Sequence, residues 1–142
     1  GDRFVGAVDL DWLLLAGRHT LLEPAGALPL FERCIQEQVQ VMAAGVFNSG
    51  VLARPVAGAP FDYAPAPARV LERAQRMAAV CAGHGVPLLA AAVQFPLRHP
   101  AVRLVVVGAA SAAEVDDDVS MLDVPIPDAL WSELAAMGAG DR

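Results

Sequence analysis

The segment Val107-Gly108-Ala109-Ala110-Ser111 carries the strongest chemical signal in the sequence. A β-branched run passes through small residues into Ser111-Ala112-Ala113-Glu114, a capping box in which the serine accepts from the third helical N–H and the glutamate reaches back. Such a junction leaves several backbone N–H groups pointing at one spot, where the positive end of the helix dipole also lies, and that combination favours a phosphate. By itself the junction also reads as an ordinary strand-to-helix turn that Ser111 caps. Asn48-Ser49-Gly50 repeats the idea after the preceding strand, with a glycine for close backbone approach and two polar side chains. Alone it is a turn. Two such turns at the ends of neighbouring parallel strands point to a ligand, because ligands of parallel α/β sheets and barrels sit at the strand carboxyl ends.

Acid–base and covalent chemistry is poorly supplied. All ten basic residues are arginine and none is lysine, which removes Schiff bases and lysine-tuned acids. The sole tyrosine, Tyr63, lies in a Pro/Ala-rich loop and reads as a packing or surface residue. A phenol near pKa ~10 with no neighbouring cation is a poor catalyst at neutral pH. His84 sits in a helix-ending Gly-His-Gly and His99 precedes Pro100. Of the three histidines, His19, beside Arg18 at the end of a strand, is the best active-site candidate. Cys34 and Cys81 stand far apart, outside any CxxC or zinc spacing, and read as small apolar core residues. No catalytic residue and no metal site is assigned.

The elements that must position these turns alternate. Trp12 to Ala16 is an apolar run closed by Gly17, the pattern of a strand buried on both faces. After Pro24 a helical stripe brings Ala27, Phe31, Cys34, Ile35 and Gln38 together, opposite Glu32, Arg33 and Glu37. Val39 to Ala44 is a second strand, ended by Gly45. Arg54 to Pro67 is too irregular for an element and long enough for a functional loop. Pro67 opens a helix with Val70, Ala74, Met77, Ala78 and Cys81 on one face, stopped by Gly83 and Gly85. Val86 to Leu97 fits a strand by its apolar run or a helix by its alanines, with Pro96 bending or ending any helix. Val102 to Val107 is the clearest strand, followed by a short helix to about Met121 and a last helix carrying Leu130, Trp131, Leu134 and Met137. The alternation implies parallel pairing with right-handed crossovers, hence an α/β architecture.

The 142 residues amount to about one domain, and 56% hydrophobic letters suffice for a core. A net charge of −6 repels polyphosphate backbones and acidic membranes, which disfavours a nucleic-acid role. The longest nearly apolar stretch, Val86 to Leu97, is shorter than the ~20 residues a membrane span needs, so a soluble protein with no membrane partner is expected. No charged-then-apolar leader precedes the first strand, and a reducing cytoplasmic setting is the expectation.

Four segments taken together resemble the C-terminal part of an aldo/keto reductase: residues 14–22 (Leu-Leu-Ala-Gly-Arg-His-Thr-Leu-Leu), 45–53 (Gly-Val-Phe-Asn-Ser-Gly-Val-Leu-Ala), 95–100 (Phe-Pro-Leu-Arg-His-Pro) and 106–111 with Glu114-Val115. The likeness is greatest to the sugar dehydrogenases that oxidise L-fucose and related aldoses. It implies a (β/α)8 TIM barrel, with this chain supplying three parallel βα units, strands six to eight, and with Val86 to Leu97 helical. It also implies NAD or NADP as cofactor. Phe47, Asn48, Ser49 and Gly50 would lie along the pyrophosphate, and Gly108, Ala109, Ala110 and Ser111, with Glu114 and Asp118, would hold the adenosine.

The departures from the family pattern are informative. Ala16 stands where a glutamine commonly contacts the nicotinamide amide, and Ala44 about where an aromatic residue stacks on that ring. Ala110 replaces a basic residue used against the 2′-phosphate of NADP, and Asp116-Asp117-Asp118 adds charge that repels such a phosphate, which favours NAD. On the residues alone that triplet also reads as a solvated helix face. The family's Tyr, Lys, His and Asp come from earlier strands and are absent here. A full barrel needs about 250 residues. The expectation is therefore a single incomplete domain over residues 1–142, the cofactor-binding portion of an oxidoreductase acting on an aldose or other small carbonyl or hydroxyl substrate, and not catalytic alone. The alternative is a non-catalytic remnant that binds a nucleotide or a protein partner. Open sheet edges would permit self-association.

Overall fold

The computed structural model describes Val5, Gly6 and residues 8–139. In chain order the elements are β1 (Trp12–Ala16), α1 (Leu28–Gln36), β2 (Gln40–Ala44), β3 (Pro60–Phe61), β4 (Ala64–Pro65), α2 (Ala68–Gly83), α3 (Leu88–Gln94), β5 (Val102–Val106), α4 (Ala112–Ser120) and α5 (Asp128–Ala139). Short 3₁₀ turns occupy Asn48–Gly50 and Pro96–Arg98.

The expected α/β architecture is present. β1, β2 and β5 form a parallel sheet in the order β1-β2-β5. The register pairs Ala16 with Ala44 and Ala44 with Val106, so the three carboxyl ends lie flush along one rim. Because side chains alternate along a strand, Leu13, Leu15, Val41, Ala43 and Val105 share one face. That face packs on Phe31 and Cys34 of α1, both fully buried.

The other face corrects the expectation of strands buried on both sides. Leu14 is 56% exposed, Leu104, on the far side of their shared register partner Met42, is 47% exposed, and Trp12 and Val106 are also open. β1 and β5 are edge strands, and among the described residues no element covers this apolar face. The pattern of doubly buried strands is in the sequence, but the layer that would bury the second face is not.

A second core gathers Leu52, Ala74, Met77, Cys81, Ala90, Ala91, Leu130 and Leu134 beneath α2, α3 and α5. The ambiguous stretch from Val86 resolves as helix. Pro87 precedes α3, and Pro96 opens the 3₁₀ turn that follows Gln94, so the apolar run is long but bounded by prolines. α2 and α3 meet at 102°, and among the described residues no single helix is long and apolar enough to cross a membrane.

Two local expectations fail. Ile35 of α1 is half exposed, and Gln38 falls beyond the helix end with φ of 58°, because the helix stops at Gln36 and the chain turns at once into β2. The segment Arg54 to Pro67 is not featureless. β3 and β4 pair antiparallel with Phe61 opposite Ala64, around a two-residue tip in which Asp62 and Tyr63 both take positive φ.

Candidate functional site at the carboxyl rim

The chain leaves β2 through a tight corner. Gly45 has φ of +63°, and a Cβ on it would stand 3.2 Å from the Gly17 nitrogen. Gly17 in turn donates its N–H to the Ala44 carbonyl at 2.9 Å, so two backbones meet at the rim where glycine at 45 is favoured. The next turn is held by Asn48 N–H to Gly45 O and Gly50 N–H to Phe47 O, each 3.0 Å. Asn48 (φ 47°) and Ser49 (φ 61°) are consecutive non-glycine residues in the left-handed region. Each such residue costs about 1 kcal/mol or more, and strain of this kind collects at ligand clamps. The Asn48 side chain is buried, and its Oδ1 has no hydrogen-bond partner.

After β5 the chain enters α4 through the expected serine cap, with the glutamate reaching back one residue further than the N-cap amide of a strict capping box. Ser111 is extended, and its Oγ accepts from Glu114 N–H at 3.2 Å. The Glu114 carboxylate reaches back to Ala110 N–H at 2.6 Å. Thus one of the amides at this helix end is already satisfied by a carboxylate of the chain itself.

The two turns face each other across one cleft of ≈ 680 Å³. Phe47, Ser49 and Gly50 line one side and Gly108, Glu114 and Asp118 the other. Of the remaining residues predicted from sequence, Asn48 lies buried beneath its turn, and Ala109, Ala110 and Ser111 form the helix entry beside the cleft rather than its wall. Asp117, read from sequence as part of the acidic triplet, also lines it, as do Arg54 and Leu89, which sequence reasoning missed. Arg54 looked like the start of a structureless loop, yet its N–H is tied to Gly50 O at 2.9 Å, which carries the side chain back to the cleft.

The electrostatics of the cleft are lopsided. Glu114, Asp117 and Asp118 stand on one side, and among the described lining residues Arg54 is the one cation. Burial pushes the Asp118 carboxyl above the ordinary carboxylate range, and repulsion from Glu114 and Asp117 adds to the rise.

His19, the best active-site candidate by sequence, is elsewhere. It is 6% exposed and packs edge-on to Phe31, away from the cleft walls. Tyr63 stands fully exposed at the β3–β4 tip, and His84 pairs with Glu133 at 2.9 Å. Cys34 and Cys81 are both buried, and burial pushes the Cys81 thiol up to about 11. Among the described residues no group of three or more His, Cys, Asp or Glu could hold a metal ion.

A parallel sheet with a cleft between two turns at its carboxyl rim is the arrangement of α/β ligand-binding proteins. The chain belongs to the aldo/keto reductase family, whose sequence model matches residues 7–139. It is 42% identical over 135 residues to D-threo-aldose 1-dehydrogenase of Pseudomonas sp, a match covering 94% of this chain and 41% of that protein. It is 41% identical over 131 residues to pyridoxal 4-dehydrogenase of Microbacterium luteolum, covering 92% and 38%. The chain thus spans about two fifths of the length of these curated relatives.

Proposed function

We propose that residues 1–142 are one incomplete domain, strands six to eight of a (β/α)8 barrel, and form the cofactor-binding portion of an NAD(P)-dependent oxidoreductase that is not catalytic alone. The observation that carries this reading is the meeting of the Phe47–Gly50 and Gly108–Glu114 turns across one cleft at the flush strand ends. The uncovered apolar face, with Leu14 and Leu104 side by side with Met42, supports the incomplete barrel, because closure by further strands would bury it.

The residues fit a dinucleotide. Buried Asn48 Oδ1 lacks a partner at the strained turn, and Gly108 has open space where a Cβ would stand. In this reading Phe47, Asn48, Ser49 and Gly50, with Arg54 as the neutralising cation, hold the pyrophosphate. Gly108 to Ser111, with Glu114 and Asp118, hold the adenosine, whose ribose hydroxyls suit carboxylate acceptors. The nicotinamide, when bound, supplies hydride exchange with a carbon of the substrate. That substrate is an aldose or another small carbonyl or hydroxyl compound, the class named for both relatives. The two buried cysteines accord with a reducing, cytoplasmic setting.

NAD is favoured over NADP. Three carboxylates line the side of the cleft assigned to the adenosine, and Glu114 already occupies the Ala110 amide. A 2′-phosphate there would meet repulsion at every approach. Calorimetric titration of the chain with each dinucleotide tests this: NAD binds, and NADP binds at least ten times more weakly at low salt. Equal or inverted affinities would refute the preference, and no binding of either would remove the cofactor reading.

A further inference from the structure

Away from the cleft the domain packs together two histidines, one buried and one half-buried, that the cofactor reading does not use. His19, on the loop leaving β1, is 6% exposed. Its Nδ1 lies 3.0 Å from the Pro24 carbonyl, which can only accept, so the ring proton sits on Nδ1 and Nε2 is bare. His99 has the opposite arrangement. Its Nδ1 accepts from Ala101 N–H at 3.3 Å, which requires a bare Nδ1 and leaves the proton on Nε2. The rings stand edge to face with centroids 5.8 Å apart. Phe31 of α1 touches both, at 4.8 Å from His19 and 4.6 Å from His99, and Phe95 at the end of α3 lies 4.9 Å from His19.

We propose that His19 and His99 are an acid-released latch, which fastens the β1–α1 loop, α1 and the turn after α3 to one another while both rings are neutral and lets go when they take up protons. A second proton on His99 falls on Nδ1, where it faces the Ala101 N–H, and donor meets donor. That bond sits at the entry of β5, where Ala101 O accepts from Val41 N–H at 2.9 Å. A second proton on His19 puts a cation inside an aromatic box, next to the other.

The surrounding charges offer little relief. Glu32 on α1 acts on His99 and raises its pKa, but burial outweighs it and the net shift is downward. For His19 burial lowers the pKa most, the Pro24 bond opposes, and His99 lowers it further. Arg98, beside His99 in sequence, is of like charge and lies over the Trp131 ring at 4.5 Å. On the flanking segments Arg18 pairs with Glu23, and Arg33 with Glu37.

The sign follows from linkage. Both folded values lie below the ordinary histidine value of about 6.5, so the unfolded chain binds the protons first. Stability is complete above pH ~6.5 and falls as the pH drops from there towards the folded values. Each histidine raises the unfolding constant at most about tenfold per pH unit, and the pair at most about a hundredfold. Urea unfolding of the chain at pH 7.5 and pH 5.5 reads this directly. The unfolding constant is expected to rise in the wild type, by at most about a hundredfold, by clearly less in His19→Phe or His99→Gln, and least in the double variant. A rise of the same size in all four proteins overturns the latch. Imidazole ¹⁵N spectra of the wild type serve where a variant does not fold. They should show an Nδ1-protonated ring and an Nε2-protonated ring at pH 7.5, both titrating below 6.5, and two rings of the same tautomer or midpoints at or above 6.5 overturn it.

Discussion

Gly108→Glu is the substitution that separates the proposed dinucleotide site from a mere cleft. Gly108 lines the cleft, an added Cβ there meets nothing within 4 Å, and its φ lies outside the left-handed region. The variant should therefore fold as the wild type does, with an unchanged urea midpoint. What changes is charge and room. A fourth carboxylate joins Glu114, Asp117 and Asp118 across from Arg54. A unit charge about 6 Å from a phosphate oxygen, with an effective dielectric between ~20 and ~80, costs between about 0.7 and 3 kcal/mol. Taking ~2 kcal/mol, NAD affinity drops about thirtyfold, before any loss from the volume of the side chain. Isothermal titration with NAD measures it, and Gly108→Ala, which adds only a methyl group in open space, serves as the control and should bind within about twofold of wild type. An isotherm for Gly108→Glu that overlays the wild type, from protein with the wild-type urea midpoint, would place any dinucleotide elsewhere.

Two further substitutions probe the supports of the cleft. Gly45→Ala forces a side chain into the left-handed region with its Cβ 3.2 Å from the Gly17 nitrogen, so unfolding free energy should fall by about 1–2 kcal/mol, and an unchanged denaturation midpoint would count against the close approach at the rim. Ser111→Ala removes the acceptor for Glu114 N–H, a loss of about 1 kcal/mol that falls on a helix with no buried residue to compensate. Amide exchange in the first turn of α4 should quicken about fivefold, while rates in α2 stay as they are.

The parts of this fold that were legible in the sequence are those with local causes. The capping box of Ser111 and Glu114, the β-branched run of β5 and the Ala74, Met77, Cys81 face of α2 each follow from spacing that one element reads by itself. The β3–β4 hairpin was not legible, because the second residue of its tip is Tyr63 where the common two-residue turns place Gly. Val86 to Leu97 remained open on the residues alone, since a buried helix and a buried strand share an unbroken apolar run, and only the bounding Pro87 and Pro96 and packing beneath α2 separate them. Arg54 and Leu89 were missed as cleft residues for a related reason. Their place depends on how far apart two turns from different βα units stand, and no spacing within the chain encodes that distance.

The uncovered face and the rim bear on each other. The residues at the carboxyl end of that face are in register, Ala16 beside Ala44 beside Val106, and two of the three are alanine. Higher on the same face stand Leu14, Met42 and Leu104, which fill space where those alanines leave it. A flat ring bound at the rim would thus find room over β1 and β2, next to the cleft that holds Arg54 and the strained Asn48-Ser49 turn. Any acid–base group acting on a substrate there would have to approach from the open side of the sheet, because the covered side is filled by Phe31, Cys34 and Val46. The same geometry that leaves Leu14 and Leu104 exposed therefore accounts for why a chain with a well-formed candidate cofactor cleft lacks a tyrosine, lysine or histidine beside it. In the proposed barrel those groups belong to the strands that would bury this face.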